Sequence, residues 1–211
     1  MDNNKSTTDE LKAIREIMEE SSRFLSLSGL SGIFAGSFAI AGAIIAHFLI
    51  LNSSTLNYEE YFRNVAGSEG SALRIKLIMD ALCVLVLSVA SSLYFSARKA
   101  KKAGKSIWTP VSKRLLINMI VPLVTGGFLS VILILQNDSH LIIPVLLIFY
   151  GLSLVGAGKF TYGEVFYLGL CEIITGLGAV LIPGFGLLFW VFGFGILHII
   201  YGLSMYRKYE A

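Results

Sequence analysis

The sequence predicts an all-α membrane protein, a bundle of six transmembrane helices. Three observations lead there. The 211 residues are 55% hydrophobic and only 15% charged, well short of the roughly 25% charged residues of a soluble domain. Six apolar runs, 24–51, 77–96, 115–135, 141–158, 165–182 and 185–205, come close to or exceed the ~20 residues that cross a bilayer core of about 30 Å. Finally, lysine and arginine crowd into alternate connections, as the positive-inside rule requires of a chain that crosses repeatedly.

Residues 1–23 read as a polar arm of mixed charge. In "TTDELKAIREIMEE", Thr7 and Glu10 have capping-box spacing, and Leu11, Ile14 and Met18 recur at helical intervals. A short amphipathic helix fits, lying on the inner membrane surface or packed on the bundle end. The arm has no signal-peptide character, so the run after it is expected to stay as the first span. At 24–51 that span is long enough to tilt or project. Along it Ser28, Gly32 and Gly36, and likewise Ala35, Ala39 and Ala43, recur every fourth residue. Small residues at this spacing let helix backbones approach closely in lipid. Homodimerisation and packing within the bundle both use such a stripe; with five other spans available, packing within the bundle is favoured. Beyond the span, "NYEEYFRNVAGSEG" sets Asn57 and Glu60 at cap spacing and Tyr58, Tyr61, Phe62 and Val65 on one face. This is a candidate aromatic helix at the outer end.

Span two carries Lys76 and Asp80 one turn apart near its outer boundary, an arrangement an interfacial ion pair explains. Cys83 and Cys171 sit in apolar segments and read as small buried hydrophobes, without disulfide or metal spacing. The loop "ARKAKKAGKSIWTPVSKR" is basic and holds Trp108, a composition suited to anionic lipid headgroups; nucleic-acid binding is not inferred from it. Pro122 bends span three, and Pro144 falls in the first turn of span four, where proline is tolerated. Fourteen of the 17 basic residues fall on one side, leaving Arg63, Arg74 and Lys76 on the other. Six crossings bring both termini to the basic side, so the arm 1–23 and the tail 206–211 are expected in the cytoplasm.

A weak internal repeat is visible in the second half. "IFYGLS" (148–153) and "IIYGLS" (199–204) are offset by 51 residues, and Gly127 pairs with Gly178 at the same offset. The hairpins of spans three–four and five–six are thus candidate parallel repeats, unlike the inverted repeats of many transporters. With "ITGLGAVLIPGFG" and "FGFGILHIIYGLS", the last hairpin resembles the acid-resistance membrane protein family of six-span bacterial proteins. Gly176, Gly178, Pro183, Gly195 and Gly202 carry the likeness, which covers spans three to six. The opening "IREIMEESSRFLSLSGLSG" resembles multi-pass bacterial membrane proteins of unassigned function. The resemblances imply a bacterial cytoplasmic membrane and a stress-related role, and supply no catalytic residue.

Glu172 is the sharpest feature, an acid inside "GLCEIITGLGAVLIPGFG". It lies 13 residues after Lys159 and 11 before Pro183, roughly 20 Å and 16 Å along a helix, hence near the midplane. A charge there costs about 3 kcal/mol or more, so the side chain is expected to face the interior. Thr175, one turn on, can satisfy it in part; His198, Asn118 and the tyrosines are candidate partners on other spans. Glu172 with His198 forms the candidate protonatable intramembrane site, and Gly32, Gly36, Gly176 and Gly178 are the candidate helix-packing glycines. No catalytic motif, metal-ligand cluster or cofactor fingerprint is present in the sequence, so an enzyme is not expected. Two function classes follow: a structural or interaction protein of the membrane, and a small proton-coupled transporter or channel using Glu172. A wet cavity around Glu172 would favour the second, a dry packed site the first.

Overall fold

Hydrocarbon offers no water to a bare peptide group, so each crossing must close its own backbone hydrogen bonds. The chain does this with helices. The structure, a computed structural model, describes residues 24–52, 54, 56–58 and 68–211, of which residues 68–71 are described by backbone alone. The predicted helix in 1–23 and most of the candidate aromatic helix, including Glu60, Tyr61, Phe62 and Val65, lie outside the described residues. Six helices follow in order: α1 (Gly29–Leu51), α2 (Ser68–Lys102), α3 (Pro110–Gln136), α4 (Ile142–Gly158), α5 (Gly163–Leu181) and α6 (Gly186–Tyr209). A 3₁₀ turn, Ser139–Leu141, leads into α4. All six are long and apolar enough to cross a membrane, and no strand occurs among the described residues. The chain is a multi-pass membrane protein built as a six-helix bundle.

Several ends differ from the predicted ones, each for a local reason. Residues 24–28 are extended, because the connection between α4 and α5 holds them: Phe24 N–H donates to Phe160 O at 2.7 Å, Thr161 Oγ1 to Phe24 O at 2.7 Å, and Tyr162 OH to Leu25 O at 2.7 Å. Arg98, Lys99, Lys101 and Lys102 are not in a loop but on the last turns of α2, where cations suit the helix dipole and long side chains can reach water. At the start of α3, Thr109 and Ser112 exchange capping hydrogen bonds ahead of Pro110, so Lys113 and Arg114 are helical too. The tail predicted from 206 is helix as far as Tyr209.

In packing order the helices run α3, α4, α5, α6, α1, α2. α5 is the most enclosed, with 39% of its apolar window buried; α2 is the most peripheral, with 6%. Close backbone crossings at glycine organise the core. A methyl group on Gly202 would lie 2.6 Å from Gly29 O, and one on Gly29 would lie 2.5 Å from Gly202 O. Gly151 and Gly169 make the same reciprocal crossing between α4 and α5. The two "YGLS" glycines, Gly151 and Gly202, therefore do the same job in α4 and α6. Among the predicted packing glycines, Gly32 meets the Gly202 Cα and His198 O, Gly36 meets Gly195 O, and Gly176 meets Pro144 O. Gly178 brings no backbones together; it faces the Phe189 ring at 3.4 Å, and Gly127 faces open space.

Both cysteines are exposed rather than buried. They lie on the outer faces of α2 and α5, and an apolar neighbourhood in sequence does not distinguish lipid from core. Lys76 and Asp80 do not pair: Asp80 turns instead toward α1, where its Oδ2 lies 3.5 Å from a methyl group added at Gly42.

Candidate functional site

Glu172 is the tenth of the nineteen residues of α5 and belongs to its buried stripe of Val165, Leu168, Gly169, Glu172, Thr175, Gly176 and Ala179. Residues three and four apart share one helix face, so the acid is carried inward by the same spacing as its apolar neighbours. It is 0% exposed. Among the groups proposed as its partners, His198 on α6 is the one that reaches it, with Nδ1 3.3 Å from Glu172 Oε1.

The imidazole is nevertheless occupied elsewhere. Its Nδ1–H donates to Gly193 O at 3.1 Å, five residues earlier in the chain. A π-helical turn, Val191–Leu197, lies between them, and its wider winding suits a bond from residue i to i−5. With the proton on Nδ1, Nε2 is the acceptor, and the Tyr150 hydroxyl on α4 donates to it at 2.8 Å. The Tyr150 ring also stacks on the imidazole, with centroids 5.4 Å apart and planes at 27°. Tyr150, His198 and Glu172 thus tie α4, α6 and α5 together, with the carboxyl off the axis of the Nδ1–H. Both of its oxygens lack a hydrogen bond of ordinary geometry.

The carboxyl is tightly surrounded. A methyl group placed on Gly193 would lie 2.6 Å from Glu172 Oε2 and 2.5 Å from Leu147 Cδ2. Glycine at 193 is what allows α6 to pass the acid. Thr175 gives no help, since its hydroxyl donates to Cys171 O at 2.7 Å, and Asn118 is exposed and donates to Arg114 O at 2.9 Å. Among the described residues no group of three His, Cys, Asp or Glu side chains could hold a metal ion.

A second cluster, unforeseen from the sequence, closes the basic end. Glu210 accepts from Gly29 N–H at 2.7 Å and Ser28 Oγ at 3.1 Å, satisfying the first turn of α1 from the other end of the chain. Lys99 Nζ donates to the same carboxylate at 3.1 Å and to Leu27 O at 2.7 Å, and lies 5.4 Å above the Tyr162 ring. Glu164 pairs with Lys208 at 2.6 Å rather than with Lys159, and also accepts from Tyr209 OH. Burial, reinforced by Tyr209, Glu210 and Glu164, pushes the Tyr162 phenol up to about 12. At the opposite end, His47 is not free in water but hydrogen-bonded to Tyr58 OH, while Tyr58 N–H donates to Gly184 O at 2.9 Å. Comparison of the chain with protein-family models, with curated proteins and with solved structures finds no match to any of them.

Proposed function

We propose that this chain is a non-enzymatic structural or interaction protein of a bacterial cytoplasmic membrane, with Tyr150, His198 and Glu172 acting as a polar lock between helices. The observation that carries this is the closure around Glu172: full burial, with Leu147, Gly193 and His198 against the carboxyl. A polar group that must find its partners on other helices fixes their register and depth, which apolar packing in lipid specifies poorly. The distribution of basic residues supports placing the Glu210 end in the cytoplasm, where α2 and the following loop present Arg98, Lys101, Lys102 and Lys105 to anionic headgroups or to a partner. A stress-linked role draws its support from the sequence resemblance.

The competing reading, a small proton-coupled transporter or channel, draws on the two carboxyl oxygens without a hydrogen bond. A hydrophobic carbodiimide separates the two. Applied to the membrane-embedded protein across a pH series, with modified carboxyls mapped by mass spectrometry, it is expected to label Glu164 and spare Glu172. Rapid, pH-dependent labelling of Glu172 would overturn the structural reading in favour of the proton-coupled one.

A further inference from the structure

Ile200, Leu203, Ser204, Arg207 and Lys208 fall at i, i+3, i+4, i+7 and i+8 along α6 and line one groove of about 450 Å³. Their order along the helix follows depth in the membrane. Counted from Gly186 at 1.5 Å per residue, Ile200 lies about 21 Å and Arg207 about 32 Å along the axis, so Arg207 reaches the boundary of a core about 30 Å thick. The groove therefore runs from apolar walls, through a hydroxyl, to two cations. Of these, Lys208 is already matched by Glu164 at 2.6 Å. Arg207 is exposed and has no ion pair or hydrogen bond among the described residues.

We propose that this groove binds one anionic phospholipid, its phosphate held by Arg207 and Ser204 and one acyl chain lying along Leu203 and Ile200. A planar guanidinium grips a phosphate through two parallel hydrogen bonds, which an ammonium cannot reproduce. The fit is to the whole amphiphile: phosphate at the headgroup level, apolar contact one to two turns deeper. A zwitterionic headgroup would bring its own cation toward Arg207 and Lys208 and is disfavoured. The inference rests on the membrane reading of the chain and is independent of what Glu172 does, so the carbodiimide result and the lipid result can fail separately.

The test is native mass spectrometry of the full chain in detergent, with phosphatidylglycerol or phosphatidylcholine of identical acyl chains, and with glycerol 1-phosphate as the free-phosphate probe. One phosphatidylglycerol is expected to stay bound under activation that strips phosphatidylcholine. Arg207→Gln is expected to weaken that retention about tenfold, the equivalent of losing one charge-assisted hydrogen bond. Because Arg207 contacts nothing, the variant should melt as the parent does. Arg98→Gln, which removes an exposed cation from α2, should leave retention unchanged. Equal retention by Arg207→Gln and the parent would overturn the proposal, as would an equal loss in Arg98→Gln, which would mean diffuse attraction to the basic end. Binding of glycerol 1-phosphate as tight as that of the lipid would also overturn it, reducing the groove to a phosphate contact.

Discussion

Glu210, the penultimate residue, accepts the backbone N–H of Gly29, the first residue of α1, at 2.7 Å. Capping groups are ordinarily local; here the cap is supplied from 181 residues away and shared with Lys99 of α2. Removing it should cost as much as removing a local cap, about 1–2 kcal/mol. Glu210→Ala is expected to lower the thermal stability of the purified protein accordingly. Glu210→Gln, which keeps an acceptor for Gly29 but loses the charge facing Lys99, should fall between the two. If Glu210→Ala melts like the parent, the clasp contributes nothing.

Gly193→Ala should destabilise by about 1–3 kcal/mol through overpacking against Glu172 and Leu147. The cost should shrink when the acid is also shortened. In the double variant Gly193→Ala/Glu172→Ala, the added methyl loses one of its two obstacles, and a mutant cycle on melting data should show coupling of about 1 kcal/mol. Additive effects would mean that the helices move apart instead.

Tyr150→Phe removes the donor to His198 Nε2 while keeping the stacked ring. Losing a buried hydrogen bond costs about 1 kcal/mol. In the background of His198→Ala the same substitution should cost markedly less, because its partner is already gone. Equal costs in both backgrounds would place the Tyr150 hydroxyl outside the lock.

Glycines of the same sequence character should separate sharply. Gly127→Ala meets nothing within 4 Å and should be neutral or stabilising by up to about 1 kcal/mol, from helix propensity. Gly202→Ala forces apart α1 and α6, where the new methyl would sit 2.5 Å from Ile33 N, and should impair folding. Parallel expression and melting of the two variants checks this, and equal behaviour would contradict the close crossing.

The Tyr162 phenol provides a pH prediction at the basic end. Its value in the folded protein is raised from 10.0 to about 12, so between those limits the unfolded chain gives up this proton more readily. The folded state then loses stability as pH rises from about 10 to 12, and this group contributes no change below that window. Tyr162→Phe should flatten part of the alkaline decline measured in a melting series. An unchanged decline would assign it to the lysines.

How much of this could be read from the chain depends on what the membrane makes distinguishable. The six spans were legible because length and hydropathy respond directly to bilayer thickness. The inward direction of Glu172 was legible because a charge in lipid is costly. The burial of Cys83 and Cys171 was misread for the complementary reason: apolar residues suit lipid and core alike, so hydrophobicity alone does not report which face packs. The end of α2 was hidden because lysine marks the membrane boundary while remaining a good helix former. Tyr150 could be named only as one tyrosine among several; its place beside His198 depends on a crossing of helices 48 residues apart. Glu210 gave no signal at all, standing in a short polar tail with no periodicity.

The crossing of α1 with α6 also fixes when the molecule can be finished. Gly29, Gly32 and Gly36 belong to the first helix, and the surface they fit is carried on the last. A chain growing from its N-terminus leaves that glycine face without its mate until the final helix has emerged. Contacts between such distant segments form slowly and leave partly assembled chains open to wrong pairings. Loss of the last dozen residues would therefore strand the first helix as well, and quality control that senses an unpaired first helix would in effect be reading the C-terminus.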